Sequence, residues 1–390
     1  MGDSTMHAAR RLALSVSLMS FLACPMSSHI ASAQDRPKPL VIPLQPFGLP
    51  KGFFSGGRSL TCFHAHKSGT RLFWLDNSHI FVAFTTNSPC TFKSGSDTAS
   101  VRAVIFERTG AKVASRDWPL EGDFTLFAGP NHLVVLWRGN KLEFLDDHLQ
   151  PVDSGELAEK PKGLYVTPAR HTIPLLSADG HNFEFYSASP LKLLTTIPID
   201  QSTEINAVED WTPGDERVAG VHCQDKSDYS CTKILVLTPD ANFLRPDGEP
   251  WSYEETAKPV ALHPIGFLDP THLLVSRLEK GFLRSPQVLI IRSDGSKTLL
   301  PNPGASFFVH DIAGITADGT RFGLEYTAAS MCENCVSERR FVVEELDSKR
   351  FLFEKYGSPF FSRFELSPDG KSVAVLDDGA LSIYPLPAHE

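Results

Sequence analysis

Seven segments of one design run through the chain, and a repeat of that kind restricts the fold more than any other feature. Each opens on turn-forming residues and continues into a β-branched or apolar strand. They read LDNSHIFVAF at 75–84, AGPNHLVVLW at 128–137, TPARHTIPLL at 167–176, TPGDERVAGV at 212–221, LDPTHLLVSR at 268–277, TADGTRFGLEY at 316–326 and SPDGKSVAVL at 367–376. The intervals are 53, 39, 45, 56, 48 and 51 residues. Proline presets φ in such turns and glycine accepts positive φ, so each segment reads as a tight turn entering a strand.

A second hairpin follows each of the first six segments. It reads VIFERTGAKVA at 104–114, LEFLDDHLQPV at 142–152, FEFYSASPLKLL at 183–194, ILVLTPDANFL at 234–244, VLIIRSDGSKTL at 288–299 and FVVEELDSKRFLFE at 341–354. The seventh is only LSIYPL at 381–386, where the return strand is missing. Helical periodicity is absent. Four short antiparallel strands recurring at this spacing predict an all-β, seven-bladed β-propeller. The chain after Arg71 supplies 27 of the 28 strands. The one spare apolar extended stretch is PLVIPL at 39–44, which is expected to close the last blade and protect its edge. Residues 34–70 are then closing strand and lead-in, and 71–390 the propeller.

The SPDGK turn with its apolar strand at 367–376, echoed at 316–326 and by Ser293-Asp294-Gly295, resembles the blade motif of TolB-type and other WD-repeat-like bacterial propellers. The Trp-Asp dipeptide of the eukaryotic repeats does not end the strands. The resemblance implies a propeller of about seven blades and little about activity, because that scaffold hosts hydrolases, lyases, lectins, oxidoreductases and pure scaffolds.

Residues 1–33 read as a signal peptide: Arg10-Arg11, an apolar run at 12–23, and Ala31-Ser32-Ala33 before a mature start at Gln34. Phe21-Leu22-Ala23-Cys24 loosely resembles a lipoprotein box, and the arginine pair a twin-arginine signal. Either alternative still means export, so a secreted or periplasmic location is expected. No other stretch is long and apolar enough to span a bilayer as a helix. A net charge of −9 without basic clusters argues against nucleic acid as a partner. The expectation is a monomer that binds a protein, peptide or carbohydrate, with no cofactor.

Beyond Cys24, six cysteines fall into three near pairs, Cys62 with Cys90, Cys223 with Cys231 and Cys332 with Cys335. An even count in an exported chain points to disulfides. The alternative for Cys332-Glu333-Asn334-Cys335 is redox chemistry, but its flanks read as strands rather than the helix N-terminus that lowers a thiol pKa. Naming the strands A to D from the axis outward, the A–B and C–D turns share one face. The long connections at 86–100, 224–232, 278–286, 327–338 and 245–258 fall on the other. Long loops on a rigid scaffold are where binding concentrates, which makes that face the expected ligand face. Trp118, Trp137, Trp251 and Tyr253 read as its aromatic contacts, or as wedges between blades. His64 and His66 could ligate a metal from one strand face but lack a completing ligand, so surface histidines are expected. No G-x-S-x-G, H-E-x-x-H or phosphate-loop motif occurs. Paired carboxylates could still meet from different blades. The leading expectation is a binding or scaffold module; the rival is a secreted hydrolase or lyase acting on carbohydrate or peptide.

Overall fold

The computed structural model describes residues 38–49, 70–86, 100–119, 124–166, 170–200, 203–210, 215–223, 231–239, 251–255, 260–279, 287–301, 307–328, 339–346, 350–357, 362–377 and 379–388. Twenty-eight strands form seven four-stranded antiparallel sheets, each with its strands in the order A-B-C-D. Blade one runs from Arg71–Trp74 to Lys112–Pro119. Blade seven is Arg363–Leu366, Ser372–Asp377 and Ala380–Pro385, completed on its outer side by Leu40–Pro43. The register of that closure is Leu40 opposite Ile383 through Pro43 opposite Ala380. The spare N-terminal strand therefore closes the ring, as the strand count requires.

Apolar side chains from both faces of each sheet pack against the neighbouring blades. The core accordingly divides into seven clusters, one at each junction between adjacent blades. The closing strand joins the cluster shared by blades seven and one, through buried Ile42 and Leu44 alongside Trp74, Phe106, Leu376 and Leu381. Outer strands lose one packing partner, and their exposure rises: Lys192–Pro198 of blade three exposes Leu193 and Leu194.

Turn chemistry explains the repeated S/T-x-D-G signal. In 367–370 the Ser367 hydroxyl donates to Asp369 Oδ1 at 2.7 Å, and Gly370 takes φ +66°. Thr316 and Asp318 repeat the bond at 2.6 Å, with Gly319 at φ +70°. Only glycine accepts that backbone without strain. These A–B turns also tie blades together. Arg108 Nη1 donates to Asp369 Oδ2 at 2.8 Å between blades one and seven. The Thr172 hydroxyl donates to buried Asp210 at 2.7 Å between blades three and four, and Arg321 Nη1 to Gly370 O at 3.0 Å between blades six and seven.

Blade four departs from the expected hairpin. Its C strand is Lys233–Leu237, but the D strand is Ser252–Glu254, not the 241–244 stretch. Residues 245–251 therefore fall between the C and D strands rather than between D and A, and 240–250 lie outside the described residues. Packing decides this: Trp251 is 2% exposed and sits edge-on to Phe267 of blade five at 5.9 Å. Burying an indole brings the residues that follow it to the sheet edge, and local turn signals do not compete.

Candidate functional site

The innermost strands surround a central cavity of about 1170 Å³. Its mouth is formed by A–B turns, among them Asn77, Asn131, His171 and Ala317, all exposed. The cavity therefore opens on the face of short turns, opposite the face where sequence reasoning put the long loops.

Three consecutive A strands are irregular where they line this cavity. Thr203–Glu209 slips register between Ile205 and Ala207, Val260–Asp269 between Pro264 and Gly266, and Phe307–Ile315 between Val309 and Asp311. Each slip inserts an unpaired residue, which bends the strand and re-aims side chains. Asn206, the inserted residue of blade four, lines the cavity, and its Oδ1 has no hydrogen-bond partner among the described residues. Asp311 follows the slip in blade six. Its Oδ1 accepts from the Ile312 amide at 2.8 Å, and its side chain stays accessible. Burial nevertheless pushes its carboxyl pKa up, against the pull of Arg339 and Arg363. Accessibility and desolvation agree only if the surface Asp311 meets is the inside of the channel.

The second feature spans the axis. Arg170, in the A–B turn of blade three, adopts φ +58°, uncommon for a residue with a Cβ. Its Nη2 donates to Glu365 Oε1 of blade seven at 3.0 Å, and its Nη1 to Trp74 O of blade one. Burial pushes Glu365 up to about 7, with Arg170 pulling the other way. Behind this pair lies a second layer: Arg339 Nη1 donates to Glu325 Oε2 at 3.2 Å, Glu325 is raised by burial, and Arg363 is lowered by burial to about 10. Arg363 still stays charged at neutral pH.

Other titratable clusters serve turns. His272 Nδ1 donates to Asp269 Oδ2 at 2.7 Å while its Nε2 accepts from Arg292 Nε at 3.0 Å, leaving no nitrogen for a substrate proton. Asp146, Asp147 and His148 bring ligand atoms within 4.8 Å of one another, but Asp146 Oδ1 already accepts the amides of His148 and Gln150.

Of the residues singled out from sequence, Trp118 packs in the cluster between blades one and two, under the Arg116 guanidinium at 5.0 Å. Trp137 packs between blades two and three and donates to Gly139 O at 2.6 Å. Trp251 and Tyr253 pack between blades four and five, where the Tyr253 hydroxyl also accepts from Lys297 Nζ at 2.9 Å. None of the four lines the axial cavity. Cys223 and Cys231 form a disulfide flanking the B–C loop of blade four. Cys62, Cys90, Cys332, Cys335, His64, His66, Cys24, Ala33 and Gln34 lie outside the described residues. The groups that converge on the axis, Arg71, Arg170, Asn206, Asp311 and Glu365, carry no linear motif. One signal was available: Phe364-Glu365-Leu366 places a lone carboxylate between apolar residues of an A strand.

No family model matches the chain, and no curated protein does. Solved structures do resemble it. The Cps50 (Swd1) β-propeller domain of Myceliophteria thermophila is 11% identical, with 83% of this chain and 97% of that one covered and a TM-score of 0.47. Raptor of Chaetomium thermophilum is 9% identical over 84% of this chain, with a TM-score of 0.50; this chain spans 30% of that one. The Pan2 WD40 domain of Neurospora crassa is 8% identical, covering 86% and 94%, with a TM-score of 0.44. Likeness at such identities concerns the fold and not the chemistry. The chain is an all-β, seven-bladed β-propeller with four antiparallel strands in each blade.

Proposed function

We propose that this protein is an exported binding module that takes a small ligand into its axial cavity from the face of short turns. The observation that carries the reading is the cavity itself. Its volume of about 1170 Å³ is ample for a small ligand, ligand pockets typically measuring about 300–1,000 Å³, and polar side chains from several blades converge on it. Export is supported by the Arg10-Arg11 and apolar pattern of the first 33 residues and by the Cys223–Cys231 disulfide, which belongs in an oxidising compartment. A monomer suffices for this role.

The rival, a propeller hydrolase or lyase, would draw on Asp311 and Glu365 as paired carboxylates. Arg170 Nη2 already donates to Glu365 Oε1 at 3.0 Å, which holds that carboxyl in an ion pair, so binding is the better reading.

Native mass spectrometry of the purified protein, incubated with the small-molecule extract of its producing organism, tests the proposal. A ligand adduct is expected on the wild type and should be absent from Ala317→Trp, which places an indole at the exposed mouth without touching the core. An adduct that persists in that variant, or none on either protein, contradicts it.

A further inference from the structure

Resting on that reading, we propose that the ligand is a neutral polyhydroxylated molecule, a mono- or disaccharide, held by hydrogen bonds to Asn206 and Asp311. The charges facing the cavity are of both signs. Arg71 and Arg170 stand against Asp311 and Glu365, while Asp76 is committed to its own turn through the Ser78 amide at 2.6 Å and His79 Nδ1 at 2.9 Å. An anion would therefore meet two carboxylates, and a cation two guanidiniums. Neither sign is favoured, and an ion would lose its hydration on entry. A neutral molecule is not penalised in this way.

The groups left uncommitted define the rest of the chemistry. Among the described residues, Asn206 Oδ1 accepts nothing, and Asp311 accepts only the amide of its own neighbour. Asn206 Oδ1 is a buried acceptor without a donor, which is costly and calls for an explanation, while Asp311 offers accessible acceptor capacity beside it. Sugar hydroxyls supply donors to both, and they also accept, so an amide turned either way finds a complement. Both residues are presented by register slips in A strands, so the distortions of blades four and six serve one purpose. Phe73 and Tyr165 add aromatic surface to the lining, suited to the apolar faces of a pyranose ring. The upward shift of the Asp311 carboxyl agrees, because burial is its largest cause, as suits a group in the lining of an enclosed channel.

Isothermal titration decides the matter. The neutral probes are glucose, galactose, mannose, N-acetylglucosamine, cellobiose and diacetylchitobiose; the charged comparators are glucuronate, glutamate and lysine. At least one neutral sugar is expected to bind saturably with Kd below about 1 mM. Asp311→Asn and Asn206→Ala should each weaken it at least about tenfold, the loss of one buried hydrogen bond, while folded by circular dichroism. His148→Ala, in the exposed C–D turn of blade two, should leave it unchanged. The assignment is overturned if no neutral sugar reaches that affinity, if a charged comparator binds more tightly, or if both axial variants bind like the wild type. An adduct lost in Ala317→Trp, together with no sugar binding, would remove the saccharide and keep the cavity as a ligand site. Absence of any adduct would remove both.

Discussion

Deleting residues 39–44 should cost the propeller much of its stability, with the ring opening between blades seven and one. The deletion removes Ile42 and Leu44 from the shared cluster, 8% and 0% exposed in the intact chain. Each such side chain is worth about 1.5–3 kcal/mol when buried. It also leaves Ala380–Pro385 as an unpaired edge, since every residue from Leu381 to Ile383 faces one of the closing strand. The combined loss is a large share of the roughly 5–15 kcal/mol that holds a typical domain. Denaturant unfolding followed by tryptophan fluorescence measures it. Val41→Ser, at a 52% exposed position of the same strand, should change little. A deletion variant with the parent's unfolding midpoint would show that the closure contributes nothing.

The second large effect is on pH dependence. Burial pushes Glu209 up to about 9, Glu344 to about 8 and Glu365 to about 7. For Glu209, burial outweighs the Arg217 guanidinium whose Nε lies 3.5 Å away. In the unfolded chain each of these carboxyls titrates near ~4.3. Between that value and its folded pKa, the folded protein holds a proton that the unfolded chain has released. Stability then falls as pH rises, and is fully present only below the unfolded value. Asp76, Asp269, Asp318 and Asp369 are shifted the other way by the hydrogen bonds of their turns, and their contribution is lost on acidification. The protein should therefore be most stable in mild acid, with a melting temperature that declines from about pH 5 to about pH 9. Glu344→Gln should flatten the decline up to about pH 8, and Glu365→Gln only up to about pH 7. A melting temperature that stays level or rises over that range would contradict the buried-carboxyl assignment.

What could be read from the sequence followed from whether the determining contacts are local. A turn such as Ser367-Pro368-Asp369-Gly370 is specified within a few residues, by the Ser367–Asp369 bond and the left-handed glycine, so repeats and blade number were legible. The closing strand was legible by elimination, because a propeller edge needs a partner and one apolar stretch was left over. The D strand of blade four was not. Two stretches between 240 and 254 could have served, and the choice rests on Trp251 meeting Phe267 of another blade. The axial site was hidden for a similar reason. Read as simple alternation, Thr203–Glu209 gives Asn206 no special role; only pairing with Arg217–His222 creates the slip that singles it out. Arg170 looks like an ordinary turn arginine until the ring brings Glu365, 195 positions later, across the axis.

An axis that is an open, solute-accessible cavity entered from the A–B turns should admit a small reagent. Introducing a thiol there with Asn206→Cys, and measuring its reaction with a small methanethiosulfonate reagent against the wild-type baseline, tests it most directly. The introduced thiol should react readily, and adding Ala317→Trp at the mouth should protect it. A thiol at that position that stays inert in the open protein, or reacts equally fast behind the tryptophan, would mean that the cavity is closed or is entered elsewhere.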